Sequence, residues 1–261
     1  MHREQFELHA AIERRHWWFC GRRAIVAALV EDLLAEEPAG SVVLDVGCGT
    51  GANVAELARQ FPCQGMDTAA DAIELAREHF EGVTFHHGDV LDPDFALPDG
   101  LRLVLLMDVL EHIEDDRGFL KGLVERLPEG ARVLLTVPAN PALWGKHDEV
   151  FGHHRRYTLR SLPAVWAPLP VAVELLSPYC SALYPAIWAV RTAQRPFGGA
   201  FGEGETDFTM PPAPVNAALM RLFAHERHRL RELQAGRGRP LPFGSSLIAV
   251  LRKTAAAERA A

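Results

Sequence analysis

Short apolar runs alternate with helical patterns through the first half of the chain. Each run is bounded by turn residues, as expected for a strand that is buried on both faces of a sheet. The predicted strands cover residues 41–46, 63–66, 83–86, 101–107 and 132–137, and the predicted helices between them cover about 52–60, 70–80 and 115–127. Such alternation with short loops is typical of a doubly wound, mostly parallel sheet in an α/β protein.

Two further helices are predicted ahead of the first strand, over residues 3–16 and 22–36. The second helix places the apolar residues at 25, 29, 33 and 34 on one face, which would pack against the sheet. We therefore expect a helical cap over residues 1–37.

The last part of the chain departs from the alternation. Residues 158–166 are predicted to be helical, and strands are predicted at 171–176 and 245–252. Between them lie an aromatic helical stretch (179–194), a glycine-rich segment (198–204) and an amphipathic helix (214–233). The apolar stripe of that helix consists of Leu219, Leu222, Phe223, Leu230 and Leu233. We expect this insertion to form a lid over the ligand-binding edge of the sheet or a homodimer interface.

Composition and charge narrow the choice of partners. Hydrophobic residues make up 48% of the 261 residues, and 27 basic against 34 acidic residues leave a formal net charge of -7. This balance argues against nucleic acid as the main partner. The four cysteines form no CxxC pair, and charge or proline interrupts the longest apolar stretch at Glu174, Pro178 and Pro185. We expect a cytoplasmic protein without a membrane span that binds a small molecule.

The glycine-rich run from Val43 to Gly51, VLDVGCGTG, follows the first predicted strand. Three alternate glycines would leave no side chain between the backbone and a ligand. Asp45 adds a carboxylate at the same strand end, which suits a ligand with positive charge better than a pyrophosphate. A GxGxxG pattern typical of nicotinamide-dependent dehydrogenases also fits this run, but it leaves Asp45 and Gly51 unexplained.

Carboxylates recur at the ends of four successive predicted strands, at Asp45, Asp67, Asp89 and Asp108. Parallel strands present their carboxyl ends at one edge of the sheet, where such folds bind ligands. Asp67 can accept hydrogen bonds from two ribose hydroxyls, and Asp89 from an exocyclic amine such as that of adenine. At a single strand end, an aspartate that caps the next helix would be the simpler explanation.

These motifs together, VLDVGCGTG, GMD, GD and DVLEHI, resemble the class I S-adenosylmethionine-dependent methyltransferases. The resemblance implies one domain over residues 1–261 with a seven-stranded core at 41–176 and 245–253, an antiparallel last strand and a helical insertion at 177–244. The implied cofactor is S-adenosyl-L-methionine. Its implied contacts are Asp45, Gly47, Cys48, Gly49 and Gly51 near the methionine part, Asp67 and Thr68 at the ribose, Asp89 and Val90 at adenine, and Met107 and Asp108 near the sulfonium.

A closer resemblance joins the segments HWWFCGRR (16–23) and HDEVFGHHRRYTLRSL (147–162) to bacterial methyltransferases of glycan, lipid or natural-product pathways. We expect Trp18 to cover the cofactor, Arg22 to bind its carboxylate and Trp17 to contact the substrate. The alternative is that both tryptophans only fasten the first helix to the sheet.

The segment after the fifth strand is rich in histidine and arginine. His147, beside Asp148, is our first choice for the base that deprotonates an acceptor hydroxyl during in-line O-methylation, and His112 and His153 are further catalytic candidates. The acceptor has an apolar or aromatic body in this interpretation. His154, Arg155, Arg156 and Tyr157 are predicted substrate contacts, with the arginines anchoring any acidic group.

Two alternatives stay open. Asp108, Glu111 and His112 would share one face if their turn were helical, and with a later histidine they could hold a divalent ion for metal-assisted O-methylation. Our primary interpretation assigns no metal. The other alternative is a module that binds the cofactor without catalysis.

Overall fold

The computed structural model describes residues 3–194 and 207–255, so the predicted glycine-rich segment at 198–204 lies outside the described residues. The strands are β1 (Val42–Val46), β2 (Cys63–Asp67), β3 (Thr84–His87), β4 (Leu101–Met107), β5 (Arg132–Pro138), β6 (Val171–Tyr179) and β7 (Ser246–Lys253). The helices are α1 (Arg3–Ile12), α2 (Trp17–Leu34), α3 (Ala52–Leu57), α4 (Ala70–His79), α5 (Asp116–Arg126), α6 (Lys146–Val150), α7 (Pro163–Trp166), α8 (Tyr184–Gln194), α9 (Ala213–Ala224) and α10 (Glu226–Gln234).

The strands form a seven-stranded sheet in the order β3-β2-β1-β4-β5-β7-β6. Strand β7 runs antiparallel to both neighbours, with Leu134 of β5 opposite Val250, so β6 runs parallel to the other five strands. Apolar side chains of β1 and β4 are buried on both faces, which places a core on each side of the sheet. This confirms the predicted fold class and the antiparallel last strand. The order reverses between β1 and β4, where a ligand cleft is expected.

The second N-terminal helix begins earlier than predicted. Helix α1 ends at Ile12, and α2 begins at Trp17 instead of residue 22. The His16 side chain accepts a hydrogen bond from the Trp18 backbone N–H and so caps the helix. A histidine in this role is easily overlooked, since Ser, Thr, Asp and Asn are the usual residues at this position. The capped start brings both tryptophans into the first turn of α2.

The predicted long amphipathic helix of the insertion is broken into α9 and α10 at His225. The buried Glu226 accepts hydrogen bonds from the backbone N–H groups of Ser181 and Ala182, which fixes this break against the end of β6. Its predicted stripe is only partly buried, because Phe223 and Leu230 are enclosed while Leu222 is 46% exposed.

Two other predicted elements are shorter than expected. Residues 158–162 form a turn, in which Thr158 Oγ1 accepts the Ser161 backbone N–H, and α7 starts only at Pro163. Strand β6 extends to Tyr179, so that residue belongs to the sheet and not to α8. Within residues 3–194 and 207–255, no helix combines the length and apolar character needed to cross a membrane.

Candidate active site

A cavity of about 880 Å³ lies at the carboxyl ends of the parallel strands. Its volume is near the upper end of the range for single-ligand pockets, which leaves room for a cofactor and a second small molecule. We call its strand-end side the cofactor half, lined by residues 46–50, 66–69, 88–90 and 107–109. The acceptor half is lined by Phe6, His9, His147, Phe151, His153, Arg156, Ile187, Val190, Arg191, Asp207 and Phe208.

The three motif glycines serve different purposes. All three have positive φ, the conformation that glycine adopts without a steric penalty. A Cβ at Gly47 would lie 2.6 Å from Val109, and one at Gly51 would lie 2.7 Å from the Phe85 ring. Only Gly49 faces open space, with no described heavy atom within 4 Å of that position. Gly47 and Gly49 line the cavity, whereas Gly51 lies behind its wall.

Asp67 connects the ends of β1 and β2. Its Oδ2 accepts the Gly49 backbone N–H at 2.9 Å, and its Oδ1 accepts the Ala69 N–H at 2.8 Å. These bonds hold the carboxylate on the cavity wall while leaving lone pairs for a ligand hydroxyl. Asp89 accepts the Leu91 N–H at 2.8 Å and reaches the cavity from a more exposed position. The predicted contacts Thr68, Val90 and Met107 also line the cavity.

Asp108 and Arg22 form an ion pair on the cavity wall. The guanidinium carbon of Arg22 lies 4.5 Å from the centroid of the Trp18 ring, a cation–π contact. Asp108 has a left-handed backbone with φ of 59° and accepts the Thr136 hydroxyl at 3.1 Å. The start of α2 is thereby joined to the end of β4, and both Trp18 and Arg22 line the cavity.

Asp45 does not reach the cavity surface. Its side chain is fully buried, and neither carboxylate oxygen has a hydrogen-bond partner among the described residues. Burial raises the pKa of Asp45 to about 7, although the charge of Arg22 opposes this effect. The neighbouring Cys48 is buried too, but it does line the cavity.

His147 lies in the cavity, but its hydrogen bonding does not suit a base. The Asp207 backbone N–H lies 3.1 Å from Nδ1, and an N–H group can only donate. Nδ1 is therefore the acceptor, and the neutral ring carries its proton on Nε2. Burial and the charge of Arg191 lower the pKa of His147 well below its ordinary value. The ring can donate a hydrogen bond but has no free lone pair with which to accept a proton.

His153 has the opposite arrangement. Its Nδ1 lies 2.9 Å from Oδ1 of the buried Asp148, which also accepts Arg156 Nε at 2.8 Å. A carboxylate only accepts, so Nδ1 carries the proton and Nε2 keeps its lone pair. Burial alone would raise the pKa of Asp148, but the His153 hydrogen bond and the charges of Arg156 and Arg191 outweigh it and lower that pKa. Asp148 thus orients His153 and not, as we expected, His147.

A compact group of possible metal ligands lies beside this pair. One ligand atom from each of Glu111, His112 and His153 lies within 4.8 Å of the others. Glu111 is fully buried, neither of its oxygens has a partner among the described residues, and burial raises its pKa. Burial lowers the pKa of His112 to about 4. The predicted helical face with Asp108 is wrong, because residues 110–112 form a 3₁₀ turn and Asp108 is paired with Arg22.

Three predicted substrate contacts lie outside the cavity lining. Tyr157 is buried, and its hydroxyl donates to Asp116 at 2.7 Å. Arg155 forms an ion pair with the same carboxylate at 2.8 Å. The backbone N–H of His154 donates to the Glu111 carbonyl at 2.7 Å. Of the predicted set, Arg156 and Trp17 do line the cavity.

Sequence patterns did not indicate four residues that line the cavity, namely His9, Glu13, Asp207 and Phe208. The Phe208 ring lies 4.8 Å from that of Phe19 and 5.2 Å from that of His147, centroid to centroid. These residues come from α1, from the turn that follows it and from the insertion, and tertiary packing brings them to the sheet edge. No local motif marks such positions.

A family model described as a methyltransferase domain matches residues 18–170, more than half of the chain. The chain belongs to this family of S-adenosylmethionine-dependent methyltransferases. S-adenosylmethionine is the cofactor of the family. The match includes the glycine run, all four strand-end aspartates and the His153–Asp148 pair.

Curated relatives cover parts of the chain. It is 28% identical over 177 residues to ajmaline N-methyltransferase of Rauvolfia serpentina, over 60% of each protein. It is 32% identical over 114 residues to trans-aconitate 2-methyltransferase of Afipia carboxidovorans, over 42% of this chain and 44% of that enzyme. The mitochondrial ubiquinone biosynthesis O-methyltransferase of Schizosaccharomyces pombe is 35% identical over 38% of each protein. The chain thus spans between 38% and 60% of the length of these relatives, less than two thirds in each case.

Solved structures share the fold. A methyltransferase in complex with the Haloferax volcanii Trm112 activator superposes with a TM-score of 0.55, at 18% identity over 97% of both chains. The plantazolicin methyltransferase BamL gives a TM-score of 0.54, at 14% identity over 90% of this chain and 86% of that one. At these identities the likeness concerns the fold alone.

Proposed function

We propose that the protein transfers a methyl group from S-adenosylmethionine to a hydroxyl oxygen of a small molecule with an uncharged apolar or aromatic body. One observation carries this proposal: a single cavity joins the Asp67–Gly49 site at the strand ends to the His153–Asp148 pair. A nucleoside site and a proton acceptor that share one enclosed space are what O-methylation requires.

The cofactor half fits S-adenosylmethionine. Gly49 leaves open space beside the backbone, and Asp67 presents a carboxylate suited to ribose hydroxyls. Asp89 and Val90 would border the adenine, and Arg22 would bind the carboxylate of the methionine part. When bound, the cofactor supplies a methyl group that is already activated for displacement. The protein then has to orient the acceptor, exclude water and remove a proton.

His153 is the residue best arranged to remove that proton. Its Nε2 accepts the proton of the acceptor hydroxyl, while Asp148 holds Nδ1–H and stabilises the imidazolium that forms. His147 contributes differently, because its Nε2–H can donate to the acceptor and help to orient it. This assignment moves the base from His147, our first choice from the sequence, to His153.

The charges of the acceptor half favour an uncharged acceptor. Arg156 donates to Asp148, and Arg191 is paired with Asp148 and Asp207. Both guanidinium groups are thus compensated by carboxylates, and Arg155 is paired outside the cavity. Much of the remaining lining is apolar or aromatic, including Phe6, Phe151, Ile187, Val190 and Phe208. Among the described lining residues of the acceptor half, no uncompensated arginine is left for an acidic anchoring group on the acceptor, which we considered from the sequence.

The proposal is tested by transfer of label from methyl-tritiated S-adenosylmethionine to a panel of small aromatic acceptors. The panel pairs each hydroxyl compound with its amine counterpart, since the relatives include both N- and O-methyltransferases by name. We expect labelled methyl ethers. Label in the amines alone would overturn oxygen as the acceptor atom, and cofactor binding without transfer across the panel would favour a non-catalytic module.

Metal-assisted O-methylation is a second candidate. It is favoured by the Glu111 carboxyl group beside His112 and His153, since neither of its oxygens has a hydrogen-bond partner in the described part of the chain. A divalent ion held by these three residues would lower the pKa of a bound acceptor hydroxyl. The measurement is activity after dialysis against EDTA, followed by readdition of Mg²⁺, Mn²⁺ or Zn²⁺. Loss and recovery would support the metal. Full activity after dialysis, in a sample shown to be metal-free, would leave His153 as a simple base.

The insertion is better explained as a lid than as an interface. Helix α8 contributes Ile187, Val190 and Arg191 to the cavity, and the segment after residue 206 contributes Asp207 and Phe208. These contacts support the expected organisation, in which the N-terminal cap, the sheet core and the insertion together form one catalytic unit. A homodimer and a cytoplasmic location stay predictions.

A further inference from the structure

We infer that Glu13, in the turn between α1 and α2, binds the α-ammonium group of the cofactor. This inference rests on the proposed function, because it assigns a residue of the cap to the methionine end of the same site. Neither the strand-end pattern nor the glycine run includes this residue.

The position of Glu13 joins the cap to the glycine loop. Its side chain lines the cavity, and the residue is only 8% exposed. One carboxylate oxygen, Oε1, accepts the Thr50 hydroxyl at 2.7 Å. Thr50 directly follows Gly49, where the backbone leaves open space. The carboxylate therefore lies beside the part of the loop that borders the methionine end.

The second oxygen of Glu13 still needs a partner. In the described part of the chain, only Thr50 donates a hydrogen bond to this carboxylate. Because Glu13 lines the cavity, a bound ligand can supply that partner. A carboxylate this deeply buried is costly without a cation or further donors. An ammonium group offers three donors and a positive charge.

In the described part of the chain, nearby arginines donate no hydrogen bond to this carboxylate, although the charges of Arg23, Arg22 and Arg14 oppose the rise that burial causes in its pKa. Arg23 donates at 2.7 Å to the backbone carbonyl of Glu13 and not to its carboxylate. Arg22 is paired with Asp108. Glu13 and Arg22 both come from the cap and line the cavity, and Arg22 keeps an Nε that has no hydrogen-bond partner among the described residues. This pair complements an amino-acid zwitterion, the group that distinguishes the cofactor from simpler adenine nucleosides.

The carboxylate that the sequence places near the methionine part is Asp45, which is fully buried and does not line the cavity. Of these two carboxylates, Glu13 is the one that lines that space. The expected gain is that of a charge-assisted hydrogen bond, which corresponds to an affinity change of about 10- to 100-fold.

The test is a set of dissociation constants from isothermal titration with wild-type protein, Glu13→Gln and Thr50→Val. The ligands are S-adenosylhomocysteine and its desamino analogue, which lacks only the α-amino group. We expect Glu13→Gln to raise the dissociation constant of S-adenosylhomocysteine about tenfold or more. The dissociation constant of the desamino analogue should rise less than about twofold. Thr50→Val, which keeps the carboxylate, should affect both ligands equally.

Equal losses for both ligands in Glu13→Gln would show a purely structural role and overturn the inference. Unchanged binding of S-adenosylhomocysteine would overturn it as well. If folded wild-type protein binds neither ligand, the proposed function fails first. Thermal unfolding of each variant, with a single transition near that of the wild type, separates these outcomes from loss of fold.

Discussion

The two halves of the cavity are built in different ways. Contiguous motifs at the ends of neighbouring parallel strands form the cofactor half, where Asp67 at the end of β2 accepts the backbone N–H of Gly49 from the loop after β1. Distant parts of the chain meet in the acceptor half, where His9 of α1, His153 and Arg191 of α8 line one space. The sheet holds the first half in place, whereas side-chain pairs such as Arg191–Asp207 hold the second together.

This difference separates two kinds of specificity. The backbone of a strand end determines where its carboxylate lies. Proteins that share this fold can therefore share the same cofactor site. A pair such as His153–Asp148 depends on local charge and burial and can change with the acceptor. We therefore expect that a substitution can disable either half of the cavity without disabling the other.

The largest effect is expected at His153. His153→Gln removes the lone pair that accepts the proton, so we expect kcat to fall about 100-fold or more with cofactor affinity unchanged. The matched variant, His147→Gln, keeps a side-chain donor and should lose less than about tenfold. Steady-state kinetics and cofactor titration measure both. A greater loss of kcat in His147→Gln than in His153→Gln would support His147 as the base, our first choice from the sequence. It would contradict the tautomers inferred for the two rings.

A smaller effect on binding is expected at the sheet edge. Asp67→Ala removes the acceptor of two backbone N–H groups and of the ribose, so we expect S-adenosylhomocysteine to bind about 30-fold more weakly. Asp89→Ala, at the more exposed position, should weaken it about threefold. Isothermal titration gives both values. Equal affinities for Asp67→Ala and wild type would place the ribose elsewhere.

The smallest effect concerns stability. The pKa of the buried Asp45 is raised to about 7, so between pH 4 and pH 7 the folded state binds a proton that the unfolded state has released. Stability contributed by the protonated form is therefore lost as the pH rises through 7. Asp45→Asn, which mimics that form, should therefore raise Tm by about 4 °C more at pH 8 than at pH 5. The measurement is calorimetry of both proteins from pH 5 to pH 8. A difference in Tm that stays constant over this range would contradict the buried position of Asp45.

The sequence was most informative for the strands and for the side chains whose positions the strand ends determine. Apolar runs located the seven strands to within a few residues, and the strand-end aspartates at 67, 89 and 108 line the cavity as expected. Even at the strand ends, the sequence does not show which aspartates are exposed to the cavity. Asp45 ends a strand like the other three, but it is fully buried behind the cavity wall.

The acceptor half was harder to predict because its pairs form across long sequence distances. Adjacency suggested that Asp148 serves His147, but folding turns Asp148 toward His153 and two arginines. Glu13 and Phe208 belong to no motif, and only packing of the cap and the insertion brings them to the cavity. The predicted ends of the amphipathic helix in the insertion were wrong for a similar reason. The apolar periodicity of residues 214–233 predicts one continuous helix, but the tertiary hydrogen bonds of Glu226 divide it into two.

The most direct test of the central claim is a crystal structure of the protein with S-adenosylhomocysteine. We predict that the ribose hydroxyls lie within hydrogen-bond distance of the Asp67 carboxylate and that the sulfur faces the side of the cavity that holds His153. Nucleoside density away from the carboxyl ends of β1 and β2, or an empty cavity at saturating ligand, would contradict the account.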